Sequence, residues 1–382
     1  MSNGASRDAG GFIPAGPPPP GYPPPGYYPP PSYQGYPPPG YPPPGYAPPW
    51  YPQGPPPALK PGVIPLRPLS LSDIFNGAIA YVRMNPKATL GLTTAVVVVA
   101  QLIALVLQIG PLAATGGLTS VSEGDDVSDV ALIGSSLSSL ASVATTGLAT
   151  IVLSGLLTVV VGRAVFGAHI TIGEAWQRAR GRLLALIGFV VLEFLGAVIL
   201  IAVVVGVLVA AISAVNGGAA FVIGAPLVVA LVVGLVYLGV KLSFAPTLIV
   251  LERLDIVSAV RRSFALVKND FWRVFGIIAL GQLVSGMIAG AVSVPFTFGG
   301  QLLLVMGSGS MTGAIVGLIL MAIGGAIGQI ITSPFNAGVV VLLYTDRRMR
   351  AEAFDLVLQS GAATPPGTPA DSTDHLWLTP HR

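Results

Sequence analysis

Two charged residues stand inside long apolar runs, where any chemistry depends on how they are paired. Glu193 lies in Val190–Gly196, VVLEFLG, and Lys241 in Tyr237–Phe244, YLGVKLSF. Ionisable groups within a bilayer are costly; they pair with one another or mark ion and proton pathways. With spans starting near Leu183 and ending near Val250, a rise of 1.5 Å per residue puts both side chains about 14–15 Å deep. A Glu193–Lys241 ion pair between consecutive antiparallel spans is the expectation. As a clamp it would fix the rotation of one span against the next, and losing one partner would strand the other charge at several kcal/mol. As a proton or solute site it would need a polar cavity reaching the same depth. Both uses stay open at this point.

Other chemistries find little support. The acidic stretch SEGDDVSD offers Glu123, Asp125, Asp126 and Asp129, without the ligand register of an EF-hand loop; it reads as a solvated loop. GSGSMTG at 307–313 has the glycines of a phosphate cradle but no following Lys, and reads as a linker. The histidines are His169, His375 and His381. They form no HExxH motif, and no nucleophile elbow or P-loop is present. The absence of cysteine excludes disulfides, thiolate metal sites and cysteine nucleophiles. No catalytic residue, metal or cofactor is expected, and no enzymatic activity.

The elements that must position these residues are apolar helices. The chain is 53% hydrophobic and 9% charged, against about 25% charged in a soluble domain. The fold class is therefore all-α and integral to a membrane. Six spans are expected at about 88–109, 138–162, 183–211, 222–250, 275–298 and 313–343. They lie in a membrane domain of residues 67–358. Residues 1–66 repeat Pro, Gly and Tyr, as in GYPPPGYYPPPSYQGYPPPGY. Such a segment cannot bury a core and favours polyproline II, so it reads as a disordered tail, either a solvated linker or a docking segment. Prolines displayed on polyproline II turns suit aromatic-lined grooves of protein partners. Residues 359–382 read as a shorter disordered tail. The N-terminus lacks a basic region followed by an apolar one, so no cleaved signal peptide is expected.

Outside the spans, Lys and Arg fall on one side only. Arg67, Arg83 and Lys87 precede span one, and Arg163, Arg178, Arg180 and Arg182 separate spans two and three. Arg253, Arg261, Arg262, Lys268 and Arg273 separate spans four and five, while Arg347, Arg348 and Arg350 follow span six. The alternate loops carry none, so both termini are expected in the cytoplasm. Three of the basic segments align: LSLSDIFNGAIAYVR at 69–83, ITIGEAWQRAR at 170–180 and LDIVSAVRRSFALVK at 254–268. Ser70 with Asp73 and Thr171 with Glu174 are capping boxes, and Asp255 with Ser258 is a degenerate one. The expected architecture is three repeats of interfacial helix plus helical pair, packed around a common axis. Arg178, Arg180, Arg182, Arg261, Arg262 and Lys268 on these segments are candidate contacts for anionic lipid head groups. Fixing topology accounts for the same charges. Gly286/Gly290, Gly313/Gly317 and Gly324/Gly328 have the GxxxG spacing that lets helices approach closely. Pro246, Pro295 and Pro334 are candidate kinks.

The stretches IPLRPLSLSDIFNGAIAYVRMNP (64–86), LERLDIVSAVRRSFALVKNDFWRVFGI (251–277) and LLYTDRRMRAEAFDLVL (342–358) resemble a family of actinobacterial multi-span proteins. That family is labelled by similarity to the membrane domain of glycerophosphoryl diester phosphodiesterase. The resemblance covers residues 64–358 and implies a location in a bacterial plasma membrane. It carries no mechanism: the enzyme's catalytic barrel takes about 250 residues, and no catalytic residue transfers. Two functions remain. One is a non-enzymatic scaffold or accessory subunit recruiting proteins through its Pro-rich tail. The other is a carrier or lipid-handling protein with Glu193 and Lys241 at a polar site between repeats. The expected partners are the bilayer, proteins bound by the tail and anionic lipids, with no role for nucleic acid.

Overall fold

Each of the three aligned segments forms a short helix, and each starts at the residue its capping pattern specifies. In the computed structural model, which describes residues 60–114, 129–214, 217–306, 310–362 and 374–378, Ser70 caps α1 (Leu71–Met84). The Asp73 amide donates to the Ser70 hydroxyl at 3.2 Å, and the Ser70 amide donates to the Asp73 carboxylate at 3.0 Å. Thr171 and Glu174 form the same reciprocal pair at the start of α4 (Ile172–Arg180), at 3.3 and 3.0 Å. Asp255 caps α8 (Ile256–Lys268) with one bond of 3.1 Å from the Ser258 amide. Hydrogen bonding to the Thr171 amide holds the Glu174 carboxyl below its usual range, and hydrogen bonding to the side chain and amide of Ser258 does the same for Asp255. Each cap's stabilisation is therefore present above the ordinary carboxylate pKa and disappears as pH falls through the lowered value.

Six long helices follow in pairs: α2 (Pro86–Ala114) and α3 (Asp129–Ala164), α5 (Leu183–Ala214) and α6 (Gly217–Leu242), α9 (Phe271–Met306) and α10 (Met311–Glu352). All are long and apolar enough to cross a membrane; the fourth such stretch, Gly224–Leu251, runs through α6 into the short α7 (Ala245–Leu251). α11 (Phe354–Ala362) and a 3-10 turn at Asp374–Trp377 complete the helical elements. Among the described residues there is no strand.

The three pairs do not pack as equivalents around one axis. α9 and α10 lie along each other, as do α2 and α3, and α10 touches both α2 and α3. These four form the body of the bundle. The α5–α6 hairpin packs on its side through α3, where the Leu186 side chain fills the space over Gly155, and equally through α8. In the most apolar window of Leu183–Ser213 only 6% of residues are buried within the protein. A span facing lipid needs no protein cover, because lipid tails are as apolar as Leu, so an equivalent sequence does not enforce an equivalent packing. The largest buried side chains, among them Tyr81, Tyr344, Phe189 and Phe244, gather instead toward the end carrying the arginines. We refer to it as the basic end.

Of the glycine pairs, Gly317, Gly324 and Gly328 on α10 face α9: a Cβ at Gly317 would lie 2.7 Å from the Gly300 carbonyl, and one at Gly328 3.3 Å from Ala289. A Cβ at Gly286 or Gly290 would meet nothing within 4 Å among the described residues, so the space beside this pair is open. Pro295 and Pro334 stay inside continuous helices, and the Tyr81 hydroxyl donates to the Pro334 carbonyl. Pro246 follows a real break: α6 ends at Leu242 and α7 starts at Ala245. The Lys241 carbonyl next to this break accepts a 2.6 Å bond from the Ser263 hydroxyl on α8.

Both expected tail boundaries need correction. Residues 1–59, the bulk of the proposed N-terminal tail, lie outside the described residues. Residues 60–66 are non-helical yet packed, with Val63, Ile64 and Leu66 buried and the Val63 amide donating to the Ala164 carbonyl at 3.1 Å. Their apolar side chains, unlike the Pro–Gly–Tyr repeat, have surface to bury. At the other end α11 extends to Ala362, and Asp374–Leu378 docks on the body with Trp377 buried. Residues 363–373 and 379–382 lie outside the described residues. So do Glu123, Asp125 and Asp126 of the acidic loop, whose Asp129 begins α3, and residues 307–309 of the glycine linker.

Candidate functional site

Glu193 and Lys241 do not form the expected pair. Among the described residues no carboxylate oxygen lies within 4.0 Å of the Lys241 ammonium, and Glu193 takes part in no ion pair. The depth argument assumed one straight helix ending near Val250. With the chain turning at Ser243–Phe244, Lys241 instead ends α6 beside α8 and the start of α9. Its buried ammonium lies 5.6 Å from the centre of the Tyr237 ring and 5.9 Å from those of Phe264 and Phe271. Aromatic faces and the negative end of the α6 dipole take the place of a carboxylate. Glu193 is half-buried on α5. In a cycle of Glu193→Gln, Lys241→Met and the double variant, melting in mild detergent should show additive effects, with coupling under about 0.5 kcal/mol. A double variant that recovers the losses of both singles would restore the pair.

Charge chemistry is concentrated at the basic end, in three groups. The first centres on Glu252, whose side chain is fully buried at the end of α7. It accepts a 2.6 Å hydrogen bond from the Tyr344 hydroxyl, faces Arg262 Nε at 2.6 Å and lies 3.7 Å from Arg348 Nη1. Glu352 closes the group, taking Arg262 Nη2 at 2.8 Å and Arg348 Nε at 3.0 Å. The Arg348 guanidinium lies 3.9 Å from the centre of the Phe354 ring and donates to the Trp377 carbonyl at 3.0 Å. Two arginines face two glutamates, so the group is neutral and ties α7, α8, α10 and the C-terminal segment together.

The second group centres on the buried Asp346. It accepts from Arg350 Nε at 2.9 Å, from Arg273 Nη2 at 3.1 Å and from the Leu69 amide at 2.7 Å. The Leu69 carbonyl accepts from Arg273 and Arg350 at 2.8 and 3.0 Å. Arg347 beside it pairs with Asp270 and donates to the Leu266 carbonyl at 3.1 Å.

The third group lines a cleft of about 290 Å³ between the ends of α3 and α7, helix α4 and the C-terminal turn. Its walls include Val159, Val250 and Leu251, with Gly162 and Gly181. Arg163, Arg178, Arg182 and Arg253 line it, together with Asp374. Arg163 is 5% exposed, and its Nε lies 3.1 Å from Asp374 Oδ1; Arg178 also pairs with Asp374. Arg253 has φ 56°, the left-handed position after a helix end that usually falls to Gly. A non-glycine residue there costs about 1–2 kcal/mol.

Of the candidate lipid contacts, Arg178 and Arg182 thus join the cleft, and Arg262 is committed to Glu252. Arg180, Arg261 and Lys268 are exposed on the short helices. The exposed indole rings of Trp176 and Trp272 stand near them in sequence, on α4 and at the start of α9, the residue type that sits at head-group level. Glu252, Asp346, Arg163 and Asp374 were not singled out from sequence. Two signals were present. Arg163 interrupts VVVGRAVF with apolar residues on both sides, and HLWL at 375–378 is an apolar, aromatic run within an otherwise polar tail. Comparison of the chain with protein-family models, with curated proteins and with solved structures found no match.

Proposed function

We propose that this is a non-enzymatic scaffold or accessory subunit of a bacterial plasma membrane, with the basic end and both termini in the cytoplasm and the Pro-rich segment recruiting protein partners. The observation supporting it is the fastening of the chain just after that segment. Leu69 is held through both its amide and its carbonyl by Asp346, Arg273 and Arg350. Val63 is bonded to Ala164, and a Cβ at Gly62 would collide with the Ala164 and Val165 carbonyls. A recruiting segment works best from a fixed base, which sets where its bound partners are held against the membrane.

Two truncations test it. Removing residues 1–59 should leave the melting of the body unchanged while the proteins cross-linked to it in cells are lost. Removing residues 1–69 should lower the melting temperature as well, because Asp346 loses its bond to the Leu69 amide. An unchanged cross-linked set after the first truncation overturns the proposal. A second reading, lipid handling, draws on the arginine cleft rather than on Glu193 and Lys241.

A further inference from the structure

The cleft at the basic end has the chemistry of an anion site, and Asp374 of the chain already places an anion in it. Four arginines line it, and Asp374 is the acidic residue lining it among the described residues. Asp374 reaches Arg163 and Arg178. Among the described residues, no carboxylate lies within 4.0 Å of Arg182 or Arg253. Guanidinium forks match the oxygens of phosphate, and such charge-assisted bonds are about twice as strong as neutral ones. A carboxylate offers two oxygens and one charge; a phosphate monoester offers three oxygens and nearly two charges. The volume of about 290 Å³ lies at the lower edge of the ~300–1,000 Å³ typical of small-molecule sites.

The docked segment is anchored through its aromatic residue. Trp377 is 3% exposed and meets Phe166 edge-on at 6.2 Å and Phe354 at 5.4 Å. Its carbonyl takes the bond from Arg348. This anchor holds Asp374 at the mouth of the cleft, where its side chain stays 30% exposed. A tethered carboxylate competes at an effective concentration set by its tether, without needing high intrinsic affinity.

We propose that the cleft formed by Arg163, Arg178, Arg182 and Arg253 binds a phosphate group, and that Asp374 is its built-in competitor, displaced when the phosphate enters. The phosphate belongs either to a lipid head group or to a soluble phosphate. The cleft adjoins α4, whose exposed Ile172 and Trp176 suit a membrane surface, so both sources have access.

The test uses the full-length protein in mild detergent, titrated with inorganic phosphate, dihexanoyl phosphatidate and, as control, dihexanoyl phosphatidylcholine, with binding read by calorimetry. Asp374→Asn should tighten binding of the responding probe about tenfold, equivalent to ~1.4 kcal/mol. Arg253→Ala, at an exposed position, should weaken it by a similar factor without lowering the melting temperature. Binding of phosphatidate alone assigns a lipid source, and equal binding of phosphatidate and inorganic phosphate assigns the bare anion. No binding of either in the millimolar range, or binding that neither substitution changes, overturns the proposal and leaves Asp374 as an internal ion-pair partner.

Discussion

Glu252→Gln should lower the stability of the purified protein by about 3–5 kcal/mol, the range for breaking a buried ion pair by removing one partner. The substitution conserves shape, so the loss isolates charge. Among the described residues, Arg262 and Arg348 would keep Glu352 as their remaining ion-pair partner, and the Tyr344 hydroxyl would face an amide in place of a carboxylate. Glu352→Gln provides the comparison. It removes a charge from the same two arginines, but its side chain is 30% exposed where that of Glu252 is fully buried. Solvent screens the remaining charges, and the cost should fall to about 1 kcal/mol or less. Melting of the two variants in one detergent decides the matter. Equal losses would show that position within the network, rather than burial, sets the energy.

Gly317→Ala should also destabilise, against the usual preference of helices for Ala. On propensity alone the change favours the helix by about 0.5–1 kcal/mol. At this crossing, however, the new methyl would lie 2.7 Å from the Gly300 carbonyl and 3.1 Å from Leu304 Cγ. The contact is reciprocal: a methyl at Gly300 would lie 2.6 Å from the Gly317 carbonyl. Backbone cannot move aside as a side chain end can, and overpacking costs about 1–3 kcal/mol. Gly317→Val should lose more. Gly286→Ala and Gly290→Ala, which meet open space, should melt at or above the wild-type temperature. A stabilised Gly317→Ala variant would mean that α9 and α10 part easily at this crossing, and that their close approach contributes little.

Much of the local structure was legible because it is decided within a few residues. Ser70–Asp73 and Thr171–Glu174 make their capping boxes with no help from distant chain. The six apolar stretches are helical because a bilayer leaves backbone groups no other partner than their own helix. The glycine spacing was legible too, but not its use. Gly286/Gly290 and Gly324/Gly328 share one pattern, yet only the second pair faces a neighbouring helix.

The candidate site was far less legible, for a physical reason. A charge announces from sequence only that it needs a partner. Glu193 and Lys241 met that criterion by depth along ideal helices, and the turn at Ser243–Phe244 defeated the estimate. Lys241 found aromatic rings from three helices instead. Glu252, Asp346 and Arg163 are satisfied by groups that are distant in sequence: Tyr344 for Glu252, the Leu69 amide for Asp346 and Asp374 for Arg163. Sequence by itself determined the membrane class, the number of spans, the helix starts and the gathering of basic residues at one end, because composition, capping and charge asymmetry act locally or by simple count. Tertiary structure alone decided which spans form the body, which charges are buried together and that Asp374 and Trp377 return to an arginine cleft. Those outcomes depend on packing between segments that no local rule brings into contact.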